Sequence, residues 1–252
     1  MGEQRGSARL ATAGLAVLIG GGLGAFALAP AAGAAVRTGT PVTTAGLTVV
    51  TKAAAACATG KYQKQVEGYL KKLGGFGLVK VDGKQSAADC SAIKKFQSRY
   101  GIRPAKGLAG PTTYGVAKRL ANTKTSACHA KKSVTTVCVD LTHQTVWVMK
   151  NGKVIYKPTV TRTGMKGYRT PTGTFKINKR AKKEWSNPYH VWMPYWQRFV
   201  GGIGLHQTTT YLHDGWRGSH GCVNLLSSDA RSLYGKLKIG TTVKVFGRRP
   251  GT

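Results

Sequence analysis

The sequence predicts an α+β chain of two domains, a small three-helix domain followed by a mostly antiparallel β sandwich or closed barrel that carries one helix. Two observations point there. Apolar residues recur at helical spacing from residue 57 to about 121, and beyond residue 133 the period becomes two. Between two of the alternating runs stands Asn151-Gly152, the strongest short hairpin signal, which calls for a type I′ turn.

In the helical part, Val66, Tyr69, Leu70 and Leu73 share one face of a helix over 62–73, and Gly74-Gly75 stops it. Asp82-Gly83 is a turn. Ser86 reads as an N-cap, with Asp89 three residues on in a variant of the capping box. Ile93, Phe96, Gln97 and Tyr100 form the next stripe. Pro111 suits the first turn of a third helix, which carries Tyr114, Ala117 and Leu120. In the β part, 134–140 and 144–150 alternate and 153–160 returns after the turn. Further strands fall at 172–177 and 241–246, with a helix over 227–236 between them. Residues 1–34 read as a signal peptide, 35–56 and 122–133 as linkers. The two domains are then 57–121 and 134–247.

The formal charge is +31, with Lys+Arg 39 against Asp+Glu 8, which draws the chain to a polyanion. The cations are spread from Lys61 to Arg249. That favours adhesion to anionic cell-wall polymers over a dedicated nucleic-acid groove. The N-terminus separates the two. Arg5 and Arg9 precede an uncharged stretch from Leu10 to Val36, with an apolar heart at 15–19 and a small-residue ending at Ala32-Gly33-Ala34. That is the order of a secretory signal. An uncleaved membrane anchor is the alternative, because the stretch is long enough to span a bilayer, but its many Gly and Ala residues favour cleavage. Either way the rest of the chain is expected outside the cytoplasm, secreted and wall-associated. Nucleic acid drops out as a partner, and membrane contact is left only to an uncleaved signal.

Five cysteines in an exported chain imply disulfides and one thiol left over. Cys57 precedes the first helix and Cys90 sits in the second, while Cys128 and Cys138 flank a short segment before a strand. The spacing suggests these local pairs and leaves Cys222 unpaired.

The densest chemistry lies between Gly204 and Asn224, with three histidines, an aspartate and Cys222. A thiolate is the attacking form of cysteine, and a nearby imidazole, from His206 or His220, can take the thiol proton. His220 is two residues from Cys222, so an extended strand would place both on one face. Gly221 between them leaves room for a substrate backbone, and amides around Gly221 and Cys222 offer oxyanion donors. A zinc site from His206, His213, His220 and Cys222 is the second reading, against which stands an unfamiliar spacing without a Cys-x-x-Cys pair. The third is structural, a hydrogen-bonded histidine in a core, and it is the reading for His129, His143, His190 and His213.

The segment resembles the catalytic signature of the L,D-transpeptidases: His206, a spacer, then Ser219-His220-Gly221-Cys222-Val223-Asn224. Thr163-Gly164, Tyr168 and Thr170-Pro171-Thr172-Gly173-Thr174-Phe175 resemble the segment upstream, and Trp192 to Trp196 with Gly201 to Leu205 the approach to the histidine. The likeness covers about 134 to 247. It departs at Gln207, where the family often has Gly or Ser that helps orient the base. The helical domain is similar to the peptidoglycan-binding repeat domain through Asp82-Gly83, Phe96-Gln97 and Gly110-Pro111-Thr112-Thr113, departing in its cysteine pair.

These resemblances imply a peptidoglycan acyltransferase. Cys222 would attack the third-residue carbonyl of a tetrapeptide stem, release D-alanine and pass the acyl group to an amine of a second stem. His206 would act as base then acid, and His220 and Gly221 would assist the oxyanion. Ser219, Tyr195, Trp196, Met193 and Asn224 would be the substrate-side residues. No cofactor and no metal is implied. Stem peptides, glycan and anionic wall polymers are the partners. An L,D-carboxypeptidase, with water as acceptor, is the near alternative, and a non-catalytic wall-binding protein the distant one. A papain-like protease is disfavoured because His206 precedes Cys222 among strands.

Overall fold

The structure, a computed structural model, describes residues 57–214 and 217–252, so the signal and first linker lie outside the described residues. Three helices come first: α1 (Gln63–Leu73), α2 (Ala87–Arg99) and α3 (Pro111–Asn122). Their stripes meet in a core of Val66, Leu70, Ile93, Phe96, Val116 and Leu120. Ser86 and Asp89 form the full capping box at α2, each bonding the other's backbone N–H. The Asp82-Gly83 turn is held from below, because its two amides donate to the buried Glu67 carboxylate at 3.1 and 2.8 Å. A disulfide joins Cys57 to Cys90.

Nine strands and one helix follow: β1 (Thr136–Asp140), β2 (Thr145–Lys150), β3 (Lys153–Val160), β4 (Gly173–Lys176), β5 (Lys179–Ser186), β6 (Val191–Val200), β7 (Ile203–Gln207), β8 (Val223–Leu225), α4 (Ser227–Lys236) and β9 (Thr242–Phe246). One sheet runs β3-β2-β1-β9-β4 and the other β5-β6-β7-β8. Their facing sides share a core that includes Val137, Val146, Leu205, Val223, Leu233 and Val243. Asn151 and Gly152 take φ of 52° and 74°, the left-handed pair that the β2–β3 hairpin needs.

The sheets are mostly antiparallel, as expected, with five antiparallel pairings, but each also holds one parallel pair that the sequence did not announce. β1 pairs β9 in parallel and β7 pairs β8 in parallel. A parallel partner arrives by a long crossover, and the tight turns that announce antiparallel neighbours are silent about it. The outer face of β1 and β2 is also covered. Cys138 stands opposite Trp147 in the register, and both pack with Cys128, which is disulfide-bonded to Cys138. β1 is therefore buried along its whole length.

The helices and the sheets are tied through one buried carboxylate. Asp229, in the first turn of α4, accepts hydrogen bonds from Tyr156 Oη and Thr159 Oγ1, both at 2.6 Å, and from Arg99 of α2 at 2.8 Å. Val160 and Leu212 of the β part are buried in the helical core. Among the described residues no helix is long and apolar enough to cross a membrane. Removing a buried carboxylate strands its three donors, so Asp229→Ala is expected to cost about 3 kcal/mol of unfolding free energy. Arg99 is half-exposed, so Arg99→Ala is expected to cost only about 1 kcal/mol. Urea denaturation of the two variants beside the parent checks the order.

Candidate active site

β7 and β8 build the floor of the site. In their parallel register Leu205 stands opposite Val223 and His206 opposite Asn224. Leu205 and Val223 are fully buried in the core between the sheets. Alternation therefore turns His206 and Asn224 to the opposite face. There they line a cleft of about 340 Å³ together with Cys222, Ser219, His220, Met193 and Arg162. A second tie closes the site from the side. The end of β3 bridges to β8, with Arg162 N–H donating to the Asn224 carbonyl at 3.1 Å and Asn224 N–H to the Arg162 carbonyl at 3.0 Å.

The His206 ring is fixed by its own backbone neighbour. Nδ1 lies 2.7 Å from the carbonyl oxygen of Gln207. A carbonyl only accepts, so Nδ1 carries the proton and Nε2 is left as a free base. The departure at Gln207 thus has little effect, since any residue there supplies the same carbonyl. Trp196 packs its ring 5.7 Å from the imidazole. Burial pulls the His206 pKa down to about 4, opposed by the Gln207 contact and reinforced by the charge of Arg162. Burial also pushes the Cys222 thiol up, opposed by the Gly204 backbone. Both shifts disfavour the charged forms, so the pair rests as thiol and neutral imidazole. The half-buried thiol points its weak donor at the Gly202 carbonyl, 3.9 Å away.

The segment from Ser219 to Cys222 is a tight turn and not the extended strand expected, because Gly221 has a φ of 109°. An L side chain is strained at that φ, and its Cβ, 2.7 Å from Ile203 Cδ1, would also have to push that side chain aside. The turn is bonded throughout. Ser219 Oγ donates to the Cys222 carbonyl at 2.5 Å and accepts from Gly221 N–H at 3.2 Å. Thr170 Oγ1 donates to the Gly221 carbonyl at 2.7 Å and accepts from Gly164 N–H at 2.9 Å. The Thr-Pro-x-Gly segment therefore braces the turn through its threonine. His220, leaving the turn, is stacked on Tyr189 at 4.2 Å and meets Tyr168 edge-on at 4.5 Å.

The expected substrate-side residues divide. Met193, Ser219 and Asn224 line the cleft. Trp196 is buried behind His206. Tyr195 is not brought there: its φ of 58° breaks the alternation of β6, and its ring packs 5.9 Å from Tyr234 of α4. His213 also leaves the site, with Nε2 bonded to the Tyr100 carbonyl at 2.5 Å. Among the described residues no three His, Cys, Asp or Glu side chains gather as a metal site. Sequence reasoning missed Arg162, whose guanidinium holds the loop after β7 through the Tyr211 carbonyl and Thr210 Oγ1, both at 2.7 Å. One arginine among 39 basic residues carries no local signal.

A lone thiol and an oriented imidazole thus share a cleft walled by aromatic rings, a setting that fits an acyltransferase. The comparisons with known proteins agree with that class. Residues 134–245 match the family model of the L,D-transpeptidase catalytic domain. A crystal structure of an L,D-transpeptidase from Stackebrandtia nassauensis is 55% identical, with a TM-score of 0.76, covering 78% of this chain and 96% of that one. An Enterococcus faecium L,D-transpeptidase mutant is 31% identical over 45% of this chain and 50% of that one, with a TM-score of 0.40. One from Mycobacterium smegmatis is 22% identical over 45% and 58%, with a TM-score of 0.41. A search of curated proteins gave no match. The chain belongs to the L,D-transpeptidase family.

The neutral resting pair makes a specific expectation for thiol reactivity. The thiolate fraction of Cys222 should rise steadily with pH and reach half only above the ordinary thiol range, because burial has raised the thiol and His206 is uncharged above about pH 4. The rate of carbamidomethylation of Cys222 by iodoacetamide, followed by mass, should climb steadily from pH 6 to pH 10. A flat rate from pH 5 to pH 8 would instead reveal a preformed thiolate–imidazolium pair.

Proposed function

We propose that the protein is a peptidoglycan L,D-transpeptidase that acts by two-step acyl transfer at Cys222. The observation that carries the reading is the joint placement of Cys222 and a tautomer-fixed His206 in one cleft. In the first step Nε2 of His206 takes the thiol proton as Sγ attacks the carbonyl carbon of the third stem residue. The bond from that carbonyl to the D-alanine nitrogen breaks, and the imidazolium returns the proton to the departing amine. In the second step an amine of another stem attacks the thioester, gives its proton to His206, and leaves as a new amide with the thiol restored.

Burial of the pair suits this sequence, because a neutral imidazole is a competent acceptor in both attacks. Gly221 N–H faces Ser219 Oγ, so the oxyanion role falls to Cys222 N–H. Ser219 acts by holding the turn rather than by reacting. His220, clamped between two tyrosines, walls the cleft, and Met193 and Asn224 shape its substrate side. The likeness to the Stackebrandtia nassauensis structure covers 78% of this chain and so reaches past residues 134–245. It supports reading the helices as part of the same working unit, a peptidoglycan-binding module that brings the enzyme to its polymer. The strong positive charge supports an anionic wall as the working place and an exported chain.

Mass spectrometry of the protein incubated with disaccharide-tetrapeptide, beside Cys222→Ala, tests the reading. Loss of D-alanine with a cross-linked dimer, absent in the variant, is the expected result. Tripeptide without dimer would turn the assignment to a carboxypeptidase, and no change in either sample would remove the catalytic reading. A second outcome follows from the turn. Gly221→Ala should lower turnover roughly a hundredfold through misplacement of the thiol, with the far-ultraviolet circular dichroism of the parent retained.

A further inference from the structure

A larger cleft, about 420 Å³, lies outside the Cys222 site, between α3 and the β domain. Its walls carry Lys118 and Arg119 from α3, Arg162 from the end of β3, and Arg249 from the C-terminal segment. The carboxylate of its lining is Asp214, which pairs with Arg217 at 3.3 Å. Arg162 and Arg249 are anchored by backbone and hydroxyl acceptors that carry no charge, and Asp214 offsets Arg162 in part. Arg119 forms no side-chain hydrogen bond or ion pair among the described residues. Burial pulls its pKa down to about 10, and Arg249 adds to the effect.

Sequestering like charges from water is unfavourable unless an opposite charge completes the group. Guanidinium forks match the geometry of a phosphate or carboxylate oxygen pair. A cleft of this size, lined by several cations and by the Thr112 side chain, therefore has the composition of an anion receptor. Arg162 also lines the Cys222 cleft, so the two sites share a wall.

We propose that the cleft between α3 and the β domain is a second binding site, for an oxyanion of the cell-wall polymer, held by Arg119, Arg162 and Arg249. The oxyanion is a phosphodiester of an anionic wall polymer or a stem-peptide carboxylate. That choice of source rests on the wall function proposed above, while the oxyanion chemistry does not. The site would hold the enzyme on polymer while the neighbouring cleft engages a stem.

Binding, not turnover, is the readout, so a failure of acyl transfer and a failure of this site are separable. Calorimetric titration of the full chain at fixed low ionic strength would use two probes, oligo(glycerol phosphate) and the free tetrapeptide. Arg119→Gln should weaken one probe by about tenfold, as expected for loss of a charged hydrogen bond. Arg119→Lys, which keeps the charge but not the fork, should weaken it less. Lys94→Gln, an exposed lysine on α2, should change binding by less than about twofold. The probe that responds identifies the source as phosphodiester or carboxylate. Lys118→Gln, on the exposed rim of the cleft, should weaken the same probe and covers the case in which Arg119→Gln does not fold. Equal losses in the cleft variants and in Lys94→Gln, or no loss in any, would overturn the proposal and leave diffuse surface charge.

Discussion

If β8 slipped by one residue against β7, Asn224 would turn into the core and Val223 into the cleft, because side chains alternate along a strand. The chemistry of this protein rests on that register. Leu205 and Val223 fix it, since both are fully buried between the sheets and neither tolerates exposure. Core packing then turns His206 toward the cleft, and the Gln207 carbonyl fixes its ring there. The parallel pairing also explains why the chain between β7 and β8 is long. It must leave one end of β7, cross, and return to the start of β8, and on that return it delivers Ser219 to Cys222 as a braced turn.

The brace and the strand do different things. The strand sets where the imidazole lies, and the Gln207 carbonyl sets which nitrogen is basic. The turn sets where the sulfur lies, through Ser219 and Thr170. Burial then suppresses charge on both partners, which is the condition under which a thiol survives outside the cell without steady oxidation, because oxidation follows thiolate character. A preformed ion pair would react sooner and be lost sooner.

Much of this was legible in the sequence, for local reasons. Asn151-Gly152 specified its hairpin because only left-handed residues fit a type I′ turn, and Ser86 with Asp89 specified a cap because each can satisfy the other's amide. Cys222 stood out by elimination once the other four cysteines had near neighbours, as the two disulfides bear out. What was not legible is non-local. Neither parallel pair has a turn between its strands, and the β5–β6 hairpin is masked by charge along β5, where Lys179, Arg180, Lys182 and Lys183 hide the period. The resemblance of its segment implies Tyr195 as a substrate-side residue, but its left-handed backbone turns it away instead. Arg162 was invisible because its importance comes from what the fold packs around it.

The helices gain meaning from where they touch the sheets. The chain after His206 does not end in solvent: Leu212 is buried in the helical core, His213 bonds the Tyr100 carbonyl, and Tyr211 Oη accepts from Arg103 N–H at 3.2 Å. Arg162 grips the same loop from the other side. The connection between His206 and Cys222 is thus clamped between the two parts of the molecule. Displacing the helices would free this loop, and with it one wall of the cleft. Here the helices' own surface completes the support of the loop, so their packing on it and the geometry of the cleft are mechanically linked.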